Sequence, residues 1–412
     1  MHKMSENNKF QKLIKSLKSE RDYLLGKQYV YREKSQELNK ALDTELIKVI
    51  TGPRRSGKST LALQALSETE DFFYLNFDNT ELLGIEDIFD FVTSESKNFK
   101  DGNLVFLDEV QNVENFELLL TRLQRNGYNL VITGSNSKLL SRELATSLTG
   151  RYRQIEVMPF SFTEAKRLDN ELSYIEYLRI GGFPEQIKNK GLIEDYLTNL
   201  LESVVLKDIV WRYNIRNTPD LNKLSNYLMR TPSQLSSFNK IKDKLGLASV
   251  NTVIDYYSYL EEAYLVNRLH YFSYKNSEVI KSNFKSYLID TGVFLDNPLM
   301  FKGNTGYLFE NAIFVDLVRK GYKPQQTLFQ LKNNNGTEVD FLLRDGSKNV
   351  LIQTSLSIKD NETKLREFKG LNSTNFENSE KYVVVANDDE GNLGEGDVEI
   401  LSPEELQKVL LK

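Results

Sequence analysis

Residues 46–66 place an apolar run (Leu46, Ile47, Val49, Ile50) directly before the loop Gly52-Pro53-Arg54-Arg55-Ser56-Gly57-Lys58-Ser59. An amphipathic helix, expected to begin near Lys58, follows without interruption. A strand that turns through glycines into a helix points successive backbone N–H groups, and the positive end of the helix dipole, at one anion. Gly52 and Gly57 permit the curl, and Pro53, Arg54, Arg55, Ser56 and Thr60 complete the cradle. At this spacing Lys58 is expected to reach the β- and γ-phosphates of a nucleoside triphosphate, and the Ser59 hydroxyl to take a place on Mg²⁺. The alternative is a glycine-rich turn between a buried strand and a helix, with no ligand.

Phosphoryl transfer also needs a carboxylate for the metal and a group to orient water. Leu104-Val105-Phe106-Leu107-Asp108-Glu109 supplies both at the C-terminal tip of a buried parallel strand. Asp108 is assigned to Mg²⁺ and Glu109 to the water. Two more strands are expected, Phe72 to Phe77 and Leu130 to Thr133. The second of these runs into Gly134-Ser135-Asn136, so Ser135 or Asn136 is a candidate sensor of the γ-phosphate or the water.

Other chemistries are excluded by composition. The chain has no Cys, which removes disulfides, iron–sulfur clusters and thiolate metal sites. Its only histidines are His2 and His270, and His270 lies in an aromatic, strand-like run where a core role outweighs that of a base. No stretch approaches 18 uninterrupted apolar residues, and a cytoplasmic location with no membrane contact is expected. The formal charge of −5 argues against indiscriminate nucleic-acid binding. Between Lys207 and Lys285, however, 12 Lys and Arg face 7 Asp and Glu. This segment is either a polyanion contact or ordinary surface variation.

At 412 residues the chain has room for several domains. Residues 1–43 read as a helical segment ending in Tyr29-Val30-Tyr31-Arg32-Glu33, which lines the adenine side of the site or packs on the core. Residues 44–161 alternate strand and helix, giving a parallel α/β sheet with the site beyond its carboxyl edge. Arg151, at the end of a polar segment that includes Arg142, is a candidate for stabilising charge on the transferred phosphoryl group, in its own subunit or a neighbour's; the alternative is a surface Arg. Residues 162–215 form a helical lid broken by Gly181-Gly182-Phe183-Pro184.

Residues 216–275 carry three helical periods, Leu221 to Met229, Gln234 to Leu245 and Ser249 to Ala263, then a strand-like run from Leu265 to Tyr274. This pattern suggests a winged helix-turn-helix, with Gly246 at the tight turn and Ser249 capping the third helix. Read as a DNA binder, it would present Asn251 and Thr252 to base edges and Lys240, Lys242, Lys244 and Arg268 to phosphates. Read otherwise, it is a protein-contact lid. In residues 276–412, Glu310 on a helix, Asp340 on a strand and Gln353 and Ser355 on the next strand stand where a two-carboxylate metal nuclease places its site. Gln353 and Ser355 replace the expected acid and lysine, and Lys359 is a distant substitute.

The ordered motifs Tyr31-Arg32-Glu33, Gly52 to Ser59, Phe106 to Glu109, Thr133 to Asn136, Gly150-Arg151-Tyr152 and Gly181 to Pro184 resemble the prokaryotic AAA-type P-loop ATPases related to STAND NTPases. Those proteins carry a winged helix and a C-terminal domain of unknown function. That last domain is similar to the PD-(D/E)xK nuclease fold, with Tyr287 to Gly292, Glu310 and Glu338-Val339-Asp340 in corresponding places. The resemblance implies ATPase roles for Lys58, Ser59, Asp108 and Glu109, a sensor role for Asn136, a finger role for Arg151 and adenine contact at Pro184. It implies ATP or ADP and Mg²⁺ as ligands, a monomer or nucleotide-dependent oligomer, and either double-stranded DNA or a protein as partner. Three readings of the whole follow: an ATP-driven conformational switch that contacts DNA, a slow nucleotide switch in a sensory or defence complex, and a metal-dependent nuclease.

Overall fold

The computed structural model describes residues 2–69, 71–135, 148, 150–189, 195–275, 283–294, 298–333, 335–346, 348–374, 376, 378–386 and 396–410. The chain divides into two compact units, Met1–Pro159 and Phe160–Lys412. Among the described residues no helix is long and apolar enough to cross a membrane.

In the first unit, helices His2–Leu25 and Ser35–Leu42 lead into strand β1, Ile47–Thr51. Strands β2 (Phe73–Asn76), β3 (Leu104–Asp108), β4 (Asn129–Gly134) and β5 (Tyr152–Glu156) complete a wholly parallel sheet of order β2-β3-β4-β1-β5. Residues of β1, β3 and β4 are buried almost throughout, as continuous apolar runs require when both sheet faces are covered. One face packs through Val49, Leu75, Leu107 and Ile132, the other through Ile50, Phe106, Val131 and Ile155. Helix Lys58–Leu66 follows β1 directly. The expected strands at 72–77, 104–107 and 130–133 are all present.

The second unit opens with short helices, among them Phe162–Leu168, Tyr174–Ile180 and Pro184–Lys188. The Gly181-Gly182 break is a forced backbone crossing. Gly181 has φ +77°, and a Cβ there would lie 1.8 Å from Asp290 Oδ1, while one on Gly182 would lie 2.1 Å from the Phe160 carbonyl oxygen. Buried Asp290 accepts from the Gly182 N–H at 2.7 Å and from the Gly292 N–H at 2.9 Å.

Helices Thr218–Arg230, Phe238–Leu245 and Val250–Glu262 follow; the first and third are near the expected spans, but the second starts at Phe238, not Gln234, because Leu235–Ser236 is a strand and Ser237 caps the helix. Gly246 ends the second with φ +65°, and Ser249 caps the third by accepting from the Thr252 N–H at 3.0 Å. They pack with an antiparallel sheet of order β6-β8-β7, made by Leu235–Ser236, Phe284–Leu288 and Val266–His270. The sequence reading found only the run holding β7, because β6 is two residues long and β8 lies past residue 275. His270 is a buried strand residue with its ring 5.4 Å from that of Phe284, and burial pushes its imidazole down to about 4.

Helix Pro298–Arg319 then crosses to a mixed sheet of order β13-β12-β11-β10-β9. Its strands are β9 Leu328–Lys332, β10 Glu338–Asp345, β11 Lys348–Ser355, β12 Ser379–Val385 and β13 Val398–Leu401. Helix Asn361–Asn372 packs against it.

The Asp290 staple is testable. Asp290→Ala strands two buried N–H donors and should lower stability by roughly 3 kcal/mol, measured by urea unfolding; a loss within error of zero would mean the crossing holds without it.

Candidate functional site

The register of the first sheet brings the loop after β1, the acids after β3 and the polar end of β4 to one edge, with β4 between the other two. Gly52 has φ +144°, and a Cβ there would sit 2.1 Å from the Val157 carbonyl oxygen, so only glycine fits. Gly57 has φ +94°, and Arg55, a non-glycine, has φ +67°. These left-handed residues turn the loop back over the start of the helix.

Arg32 holds that loop from beneath. The residue is 4% exposed, and its guanidinium donates to the Ser56 carbonyl oxygen at 2.7 Å and to the Met158 carbonyl oxygen at 2.6 Å. Of the two sequence readings of this segment, core packing therefore describes Arg32, while Tyr31 is exposed. Lys58 is buried with its Nζ donating to the Pro53 carbonyl oxygen at 3.0 Å, folded back over its own loop. The Ser56 hydroxyl is buried without a hydrogen-bond partner, an unusual state for a polar atom.

Asp108 links the three strands' ends. Its Oδ1 accepts from Ser59 Oγ at 2.8 Å and from Thr133 Oγ1, and its Oδ2 lies 3.5 Å from the Tyr74 hydroxyl. Burial, with the neighbouring Glu109 charge, pushes its carboxyl up to about 6 against the opposing pull of Thr133, Ser59 and Lys58. Glu109 adopts the left-handed conformation, φ 51° and ψ 46°, and its N–H donates to Thr133 Oγ1 at 3.0 Å. Its Oε2 accepts from Gln111 Nε2 at 2.5 Å, and the same amide lies 3.4 Å from buried Ser135 Oγ. The strain at Glu109 turns its carboxylate out of the strand line.

Residues 44–166 match the model of a family described as an AAA domain, and residues 171–297 and 305–403 match two domains of unknown function, DUF8612 and DUF4143. The uncharacterized protein MJ1544 of Methanocaldococcus jannaschii is 32% identical over 389 residues, covering 87% of this chain and 87% of that protein. An uncharacterized protein of Haemophilus influenzae is 33% identical over 353 residues, covering 79% and 86%. The chain belongs to the AAA-type P-loop ATPase family. Among solved structures, the Walker-type ATPase PABY2304 of Pyrococcus abyssi is 18% identical and covers 64% of this chain and 95% of that one, with a TM-score of 0.44.

The donor set suits the metal that the family implies: the Ser59 hydroxyl and the Asp108 carboxylate, hydrogen-bonded at 2.8 Å, are the oxygen donors that would hold Mg²⁺. Asn136 and residues 141–147, Arg142 among them, lie outside the described residues. Arg151 stands elsewhere. Its carbonyl oxygen accepts from the Ile47 N–H at 2.9 Å, and Tyr152 pairs with Ile47, so Arg151 sits at the amino edge of the sheet while Gly52 leaves the carboxyl edge. A strand of that length separates the two by roughly 16 Å. Pro184 is the first residue of its helix in the second unit.

In the three-helix region, Lys240, Lys244 and Asn251 are exposed and Lys242 is half-buried. Lys242 pairs with Asp243 at 2.9 Å, and Lys244 lies 4.8 Å from the centre of the Tyr227 ring. Thr252 is half-buried, its hydroxyl 2.9 Å from that of Ser249. Arg268 pairs with Glu261 at 3.0 Å and lies over the Phe238 and Tyr257 rings.

The C-terminal cluster is assembled, with a component the sequence did not announce. Lys285 Nζ donates to Glu310 Oε1 at 2.6 Å and to Asp340 Oδ1 at 3.2 Å. Gln353 Oε1 accepts from the Asp340 N–H at 3.2 Å and its Nε2 donates to Glu367 at 2.9 Å, while Ser355 Oγ donates to the Ser357 carbonyl oxygen. Lys359 is exposed. Among the described residues no three or more His, Asp or Glu gather as a metal site, and Gln353 and Ser355 stand where the nuclease arrangement would need an acid and a lysine.

Thr133 and Gln111 were missed as working parts of the site, and Arg32 was offered as lining the adenine side or packing on the core, not as a brace of the loop. Only Gln111, two residues from Glu109, carried a local signal. Arg32→Gln should weaken ATP binding roughly tenfold by releasing the loop, measured by calorimetry on protein whose melting curve remains cooperative; unchanged affinity would refute the brace.

Proposed function

We propose that the chain hydrolyses ATP with Mg²⁺ and uses the nucleotide state to switch the arrangement of its second unit. The observation that carries this is the chain Ser59–Asp108–Thr133–Glu109 at the mouth of the phosphate loop. Bound between Ser59, Asp108 and the phosphates, Mg²⁺ would supply positive charge against the developing phosphate negative charge. Lys58 exchanges the Pro53 carbonyl oxygen for the β- and γ-phosphates. Backbone N–H groups of Arg54 to Thr60 surround the same oxygens. Glu109, released by Gln111, orients a water whose oxygen bonds to the γ-phosphorus as the β–γ bridge breaks, giving ADP and phosphate. Ser135 lies beside this pair. Asn136 keeps its proposed sensor role and Pro184 its proposed adenine contact. Arg151, at the far edge of its own sheet, reaches a nucleotide only if a neighbouring copy presents one, so a role for it entails a nucleotide-dependent oligomer.

The finer reading is that the three helices and sheet β6-β8-β7 form a winged helix that meets double-stranded DNA, with exposed Lys240 and Lys244 at phosphates and Asn251 at a base edge. A second reading, a switch that contacts a protein and no nucleic acid, is favoured by the intramolecular engagement of Lys242, Thr252 and Arg268.

Lys58→Ala should abolish ATP affinity, and Glu109→Gln should retain it while turnover falls at least ~100-fold; Glu109→Gln turning over at the wild-type rate would remove Glu109 from the mechanism. For the wing, changing Lys240, Lys242 and Lys244 to Glu should cost at least tenfold in duplex binding at about 50 mM salt and flatten its salt dependence. No binding by the wild type under those conditions would favour the protein-contact reading.

A further inference from the structure

Buried carboxylates need a cation, and in two-carboxylate sites that cation is ordinarily a divalent metal. In the C-terminal module the side chains of Glu310 and Asp340 are 9% and 11% exposed and face a cavity of ≈ 510 Å³. Ions in solvent can therefore approach. Three of the four carboxylate oxygens of this pair, and the Gln353 amide oxygen, are nevertheless engaged by protein. Asp340 Oδ1 and Glu310 Oε1 share the Lys285 ammonium. Asp340 Oδ2 accepts from the Thr354 N–H at 3.0 Å and its hydroxyl at 2.8 Å. Glu310 Oε1 also accepts from the Tyr287 hydroxyl at 2.7 Å, and the Gln353 amide oxygen is turned onto the Asp340 N–H.

We propose that Lys285 is the resident cation of this site, standing where a divalent metal would otherwise bind, and that it latches the β6-β8-β7 sheet to the C-terminal module. Lys285 cannot withdraw easily. Its backbone is paired on both sides, with Leu235 of β6 and Leu269 of β7, so its side chain enters the cluster from a fixed strand. Its side chain is 12% exposed. A metal entering beside it would place two further positive charges within a few ångströms of the ammonium, with one net negative charge left to attract them. Through Lys285, β8 is joined to helix Pro298–Arg319 at Glu310 and to β10 at Asp340. A parallel join follows β7, where the Phe272 N–H, two residues past the strand, donates to the Gln330 carbonyl oxygen of β9 at 2.7 Å. Three-helix region and C-terminal sheet thus move as one piece in this reading, which is independent of whether ATP is hydrolysed.

The test uses the full-length protein without nucleotide. Mn²⁺ binding followed by electron paramagnetic resonance should be the same for wild type and Asp340→Asn; an equivalent of Mn²⁺ bound by wild type and lost in Asp340→Asn would overturn the proposal. Lys285→Met should lower the melting temperature by on the order of 10 °C, and adding Glu310→Gln should recover part of that loss by removing one of two unpaired buried carboxylates. Should Lys285→Met fail to fold, recovery of folding in the Lys285→Met/Glu310→Gln/Asp340→Asn variant supports the latch. A Lys285→Met variant melting at the wild-type temperature, or a neutralised variant that stays unfolded, overturns it.

Discussion

The Asp108 carboxylate is where the first unit's three strand ends become one site. Asp108 ends β3, Thr133 lies near the end of β4, and Ser59 starts the helix that follows β1. Both hydroxyls donate to a single carboxylate oxygen, and the Thr133 oxygen in turn accepts from the Glu109 N–H. A buried charge is tolerable only with such donors around it. Without them burial would push the Asp108 carboxyl up further. The left-handed turn at Glu109 follows from the same constraint, because its N–H must meet Thr133 while its carboxylate leaves the strand.

A second constraint acts on the loop itself. Consecutive N–H groups aimed at one point repel one another when no anion lies there. Arg32 draws on the carbonyl oxygens of Ser56 and Met158 and so fixes the loop's other side. Gly52, pressed against Val157, fixes its entrance. The loop is shaped by what lies behind it, before any ligand arrives.

The second unit solves the problem of buried charge differently. Asp290 is satisfied by two backbone N–H groups at a crossing where Gly181 and Gly182 leave no space for a Cβ. Glu310 and Asp340 are satisfied by an ammonium from a neighbouring strand. Both arrangements tie segments more than a hundred or more than twenty residues apart into one structure, and both use groups that in other settings would serve a ligand.

Much of this was legible in the residues alone wherever the signal was contiguous. The phosphate loop, the paired acids, the Gly246 turn and the Ser249 cap each depend on neighbours within a few positions, so backbone sterics and hydrogen bonding determine them locally. The parallel sheet followed from alternating apolar runs and helices. What only the tertiary structure decided were pairings across long separations: Arg32 with Met158, 126 positions apart, and Lys285 with Asp340, 55 apart. Strand register alone placed Arg151 at the edge away from the phosphate loop. Local sequence carries the conformation of a segment. Which distant charge meets it is set by how the sheets stack, and no short pattern encodes that.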